Sequence, residues 1–181
     1  MKNLLLSAVL VTLPLLLGGC GEKATVEPVA EVKPKLEGVN LEELEEIESI
    51  WYLKDSETPY TGKVYSLHPN GQKEEEGNLK DGKIEGLVTS WRKNGQKWKE
   101  EKYKDGKKDG PATAWHENGQ KWSKETYKDG KRDGLTTVWH SNGQMLAEAK
   151  WKDGKQIYIK FWNSKGESVN SFEEADKSYN P

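Results

Sequence analysis

Three histidines, His68, His116 and His140, fall at one position of a pattern that repeats every 24 residues, and Arg92 completes the series. With Asp105, Asp109, Asp129 and Asp133 they are the side chains best suited to moving protons or holding a metal ion. Their regularity argues against both roles. Catalysis gathers unlike groups in one pocket, whereas equivalent positions on successive two-stranded repeats lie about 9 to 10 Å apart. Zinc donors sit about 2 Å from the ion, so His116 and His140 are poorly spaced to share one. Calcium needs converging oxygens, and lysine flanks each Asp-Gly pair instead. The expectation is a protein that is not an enzyme, with no cofactor and no metal, whose histidines are solvated strand-end residues.

The elements that carry these residues are written in the same period. Asn-Gly-Gln recurs with its glycine at Gly71, Gly95, Gly119 and Gly143, and Lys-Asp-Gly-Lys starts at Lys80, Lys104, Lys128 and Lys152. A lone glycine keeps step at Gly62, Gly86, Gly110 and Gly134. Two turn signals per unit require two strands per unit. The expected fold class is all-β, an elongated antiparallel β-meander of tandem 24-residue β-hairpin repeats. Hydrophobic residues make up 33% of the chain and charged residues 32%, so the sheet should be thin with little core.

Pairing arithmetic places the aromatic residues. If Asn94-Gly95 forms a two-residue loop, facing residues sum to 189, and Trp91 then faces Trp98. The same register sets Trp115 against Trp122 and Trp139 against Leu146, giving one face a stripe of five tryptophans. These serve at least as sheet glue, and their spacing suits a linear ligand or an extended partner. On the opposite face Gly86 meets Tyr103 and Gly110 meets Tyr127, where each ring is expected to cover the gap that glycine leaves.

The chain ends differ from the repeats. Residues 1–19 carry an apolar run from Leu4 to Leu17, too short to span a bilayer comfortably, and read as an export signal. Leu17-Gly18-Gly19-Cys20 resembles the lipobox of bacterial lipoproteins, which implies lipid attachment to Cys20, the only cysteine. Several acyl chains would hold the protein on a membrane, and Gly21 after the cysteine leans towards the outer membrane of a bacterial envelope. Residues 20–48 read as the lipidated cysteine and a flexible acidic linker, with nine glutamates against three lysines over 21–48. Within it Asn40 and Glu43 form a possible capping box that opens one or two helical turns. Residues 49–167 form the repeat domain and 168–181 a polar tail. No clustered basic face points to nucleic acid.

The repeat itself, as in Trp115 to Lys121 and Tyr127 to Gly134, resembles the MORN-repeat variant family, whose bacterial members include proteins labelled YwqK-family antitoxins. The resemblance covers about residues 50 to 166 and implies a β-hairpin array. The functional expectation is a non-catalytic envelope lipoprotein that binds a protein partner or acts as a scaffold. The alternatives are an antitoxin-like binder of a partner toxin and a binder of peptidoglycan or another glycan through Trp91, Trp98, Trp115, Trp122 and Trp139.

Overall fold

The computed structural model describes residues 36–176. The leader, Cys20 and most of the acidic linker lie outside the described residues. The strands are β1 (Val39–Asn40), β2 (Leu44–Ile47), β3 (Ile50–Leu53), β4 (Gly62–Leu67), β5 (Lys73–Lys80), β6 (Lys83–Trp91) and β7 (Lys97–Lys104). They continue as β8 (Lys107–Trp115), β9 (Lys121–Lys128), β10 (Lys131–Arg132), β11 (Gly134–Trp139), β12 (Met145–Lys152), β13 (Lys155–Trp162) and β14 (Ser168–Val169). A short helix α1 (Phe172–Ala175) follows. From β4 to β14 the main sheet is an antiparallel meander in which chain neighbours pair, β10 extending the β9 side. β1 joins alongside β4 in parallel, and β2 and β3 form a separate two-stranded sheet.

The two turns of each repeat solve different problems. Asp105 (φ 49°) and Gly106 (φ 79°) both occupy left-handed backbone, which defines a two-residue type I′ turn, and Lys104 pairs with Lys107 across it. The Asn-Gly turn is larger than the sequence reading supposed. Arg92 N–H donates to the Gln96 carbonyl and Gly95 N–H to that of Arg92, so the loop holds three residues and only Gly95 is left-handed. A type I turn closed by a left-handed glycine feeds directly into a bulge, and the register shifts between Ser90 and Trp91.

This bulge corrects the expected tryptophan stripe. Trp91 faces Lys97, Trp115 faces Lys121 and Trp139 faces Met145, so Trp98, Trp122 and Leu146 are the unpaired extra residues. Past the bulge the register returns to the expected sum. Gly62 pairs with Leu79, Gly86 with Tyr103, Gly110 with Tyr127 and Gly134 with Trp151.

The reason for those glycines also differs from the sequence reading. On the other side of β6, residues 86–88 face only Gly77, because Glu85 pairs with Asn78 and Thr89 with Glu76. Gly86 is thus part of a second bulge with φ 82°, and Gly110 repeats it at φ 118°. A side chain built at Gly86 would meet nothing within 4 Å, and one at Gly110 would meet Lys102 rather than Tyr127. Backbone conformation, not coverage by a ring, fixes glycine here.

Both chain ends add structure that composition alone assigned to linker and tail. Asn40 Oδ1 accepts from Glu42 N–H and caps a single 3-10 turn at Leu41–Glu43. The expected helix stops there, and Leu44 to Ile47 are strand. Leu44 joins Val64 and Leu79 in a buried cluster with Val39, Leu41, Trp51, Tyr60 and Ile84 around it. At the other end Ala175 packs with Leu146 and Ala147, beside Val138, Phe161 and Val169. A one-layer sheet has no interior of its own. These two caps gather the larger buried apolar side chains, with only Ala112, Ala114 and Ala149 buried between them among the described residues, and strands of the main sheet lie beyond 49–167 on both sides.

Candidate interaction surface

Side chains alternate between two faces of the sheet. The front carries Gly86, Val88 and Ser90 with their partners Tyr103, Glu101 and Lys99, and the back carries Leu87, Thr89 and Trp91. Lys73 stands 5.2 Å over the Trp91 ring and pairs with Glu76, whose strand partner is Thr89, which fixes Trp91 on the back. Lys97 stands 5.9 Å over Trp115 in the same way. Trp98 and Trp122 line one front-face cleft with Glu101, Ala112, Ala114 and Glu125. The five expected stripe residues therefore divide. Trp91, Trp115 and Trp139 follow the back, and the bulge turns Trp98 and Trp122 to the front.

The residues weighed for chemistry are used to lace neighbouring hairpins together. His68 Nε2 lies 2.8 Å from the Trp91 carbonyl, His116 Nε2 2.9 Å from that of Trp139, and His140 Nε2 3.1 Å from that of Trp162. Arg92 takes the same role, its Nη2 donating to the Trp115 carbonyl at 2.8 Å. Each ring nitrogen facing a carbonyl must carry the proton, since a carbonyl only accepts. The histidines are thus half-buried donors rather than solvated ends. Asn70, Asn118 and Asn142 add a second lace through Nδ2 to the carbonyls of Lys93, Ser141 and Ser164.

The Asp-Gly end is laced too. Gly106 N–H donates to Ile84, Gly130 to Lys108 and Gly154 to Arg132. The carboxylates of Glu85, Asp109 and Asp133 accept from the backbone N–H of Asp105, Asp129 and Asp153. Among the described residues no cluster of His, Cys, Asp and Glu is arranged to hold a metal.

His116→Ala removes one lace and leaves the Trp139 carbonyl without this donor. It should lower stability by about 1 kcal/mol. A urea titration that left the midpoint unchanged would show the bond to be dispensable.

Between the caps, the front face changes character. At the N-terminal end Leu79 pairs with Ile84, both apolar, under the cap. The next copies place Tyr103 opposite Lys108 and Tyr127 opposite Arg132. Glu101, 7% exposed, accepts from Lys108 at 2.6 Å, Lys99 at 2.9 Å and the Tyr103 hydroxyl at 3.2 Å. Glu125 repeats the pattern with Arg132 at 2.8 Å and the Tyr127 hydroxyl at 2.6 Å. Burial would raise the Glu101 carboxyl, but the hydrogen bonds from Lys108 and Lys99 prevail and hold it below the ordinary carboxylate range. The same burial, with the Glu101 charge beside it, pushes the Tyr103 phenol up to about 12.

Sequence reading missed these two charge clusters. Their signal was the 24-residue spacing of Glu101 with Glu125 and of Lys108 with Arg132. The cleft they border has a volume of about 220 Å³, and Trp122, 49% exposed, stands at its side.

The architecture defines a tandem β-hairpin repeat protein, each unit laced to the next. Residues 60–81, 108–129 and 132–153 match the family model described as MORN repeat variant. The stretch 84–105 between the first two matches lies in the same 24-residue phase and forms the same paired strands, with Arg92 at the histidine position. No curated protein matches the chain.

Proposed function

We propose that the protein is a non-catalytic binding module of the bacterial envelope, which holds a protein partner against the front face of its repeats. One observation carries this reading. The front face is apolar beneath each cap, but between them it presents two tryptophans and two ion-pair clusters around a cleft. Aromatic rings beside charged groups are frequent interface anchors, since they bury large area at low conformational cost. The half-buried histidines and the carboxylates that cap turns are engaged in lacing, which favours binding over catalysis. The lipobox at Cys20 favours a lipid anchor, and the acidic linker after it would let the repeats reach a partner.

The test is a photoreactive residue placed at Trp122 on the front or at Leu87, half exposed on the back, followed by irradiation of intact cells. The expected result is a discrete adduct of one protein mass from position 122 alone. Heterogeneous cell-wall adducts would replace the protein partner with a glycan. A toxin identified in the adduct would specify antitoxin action, and equal labelling from both faces would defeat the reading. Cys20→Ser should abolish acyl labelling and leave the leader unprocessed; undiminished labelling would refute the anchor.

A further inference from the structure

We infer that the protein partner enters the front-face cleft with a lysine or arginine side chain, which lies over Ser123, stacks on Trp122 and pairs with Glu125. The inference rests on the front-face reading above and names the chemistry of its partner. It follows from comparing two successive copies of one cluster.

The first copy is complete. Lys99 reaches Glu101 Oε2 at 2.9 Å and stands 5.5 Å over the Trp98 ring, while Lys108 holds Oε1 at 2.6 Å. Arg92 lies 6.0 Å from the same ring. Both carboxylate oxygens are bonded, and the ring already carries its cations.

The second copy lacks one member. At a distance of 24 residues, Trp122 and Glu125 repeat Trp98 and Glu101, and Arg132 repeats the charge of Lys108, but Ser123 stands where the first copy has Lys99. The register confirms the correspondence, since Lys99 and Ser123 pair with opposite sides of Ala114, and Glu101 and Glu125 with opposite sides of Ala112. His116, in the place of Arg92, is turned to the Trp139 carbonyl. Two groups are left open. Arg132 and the Tyr127 hydroxyl both bond Glu125 Oε2, and among the described residues nothing bonds Oε1. Nor does any cation among them stand over the Trp122 ring, which is 49% exposed.

One serine thus leaves an acceptor and a ring without the side chain that serves both a repeat earlier. Ser123, Ala112 and Ala114 are buried and small, so the space above them is the cleft of about 220 Å³. It suits an aliphatic stem that ends in a positive charge. Lys99 and Lys108 border the cleft too, but each is bonded to Glu101, and the open oxygen belongs to Glu125. In the following copy Leu146, Ala147 and Ala149 take these positions and are buried, so no second site of this kind succeeds it. A charged hydrogen bond sheltered beside an aromatic ring is the type of contact that anchors an interface.

The test titrates the full chain in mild detergent with n-butylammonium, the end of a lysine side chain, at constant ionic strength, and follows the indole N–H resonances. The Trp122 resonance should shift with a dissociation constant of about 1 to 10 mM, and that of Trp98, whose cations are in place, should not. Butyrate and 1-butanol should bind at least about fivefold more weakly. Ser123→Lys supplies the absent side chain from within the chain. It should weaken amine binding at least about fivefold and remove the protein adduct formed from position 122 in irradiated cells. Should that variant fail to fold, Glu125→Gln carries the test with the same expected losses. Equal shifts at Trp98 and Trp122, or tighter binding of butyrate, overturn the inference. So does an adduct undiminished in a folded Ser123→Lys chain, which would leave the front face a protein-binding surface that works through other contacts. Amine binding at Trp122 with no adduct from the parent chain would instead defeat the protein partner and leave a cation site alone.

Discussion

Gly82→Ala should destabilise the protein by about 3 to 5 kcal/mol, while Gly106→Ala, at the same position of the next turn, should cost only about 1 to 2 kcal/mol. Both glycines are the second residue of an Asp-Gly turn, at φ 72° and 79°, so the left-handed backbone penalises alanine equally at the two sites. Their surroundings differ. A methyl group at Gly82 would stand 2.9 Å from the Trp51 carbonyl oxygen and 3.0 Å from the Trp51 nitrogen, whereas at Gly106 the nearest atom is Lys83 Cβ at 3.7 Å. Trp51 N–H also donates to the Gly82 carbonyl at 2.8 Å, and Gly82 N–H to that of Tyr60 at 2.8 Å. The methyl would therefore lift β3 from the turn and loosen the cluster around Leu44, Val64 and Leu79. Parallel urea titrations read the two losses, and hydrogen exchange in residues 44–53 of Gly82→Ala reads where the opening occurs. Equal losses for both variants would mean that the cap does not rest on this turn.

Glu101→Gln should cost about 1 to 3 kcal/mol at neutral pH. Removing one member of a fully buried ion pair costs about 3 to 5 kcal/mol, but Lys99 and Lys108 are each about a third exposed, and solvent screens them. The variant keeps the shape and leaves two ammonium groups facing an amide. Its acid limb supplies the sharper test. Because the folded carboxyl is held below its unfolded value, about 4.3, the parent carries this stabilisation above that pH and loses it as pH falls through the lower folded value. The gap between parent and variant should be constant near neutrality and close below about pH 4. A gap unchanged down to pH 2 would assign the loss to packing instead of charge.

The hairpin array was legible in the sequence because both turns are written in residues with a narrow conformational meaning. Asp105-Gly106 specifies its loop unaided, and Lys104 pairs with Lys107 across it. Asn94-Gly95 is ambiguous between a two-residue and a three-residue loop, and the longer one forms. The bulge then shifts the pairing back by one, so Gly86 still meets Tyr103 although the loop was misassigned. Only the residue in between records the difference. Trp98 lands on the front, and with it the candidate surface changes from one row of five rings to two rings beside ionic clusters.

The caps were hidden for another reason. Leu41, Leu44 and Ile47 sit among glutamates, so no local pattern distinguishes a tether from a strand that gains its partners only when Val64 and Leu79 lie beneath it. Glu101 and Glu125 were passed over because charge in a repeat sequence ordinarily means solvent. Their burial depends on which side chains the adjacent strands bring, a fact of register that the single strand does not contain.

Every lace joins a hairpin to its immediate neighbour, across 20 to 23 residues and no further. Chain length in such a molecule is consequently free to change in whole units. A gene segment of 72 nucleotides duplicated or lost within the array would reproduce or erase complete sets of bonds without opening a seam, so the span of the surface can evolve by counting rather than by redesign.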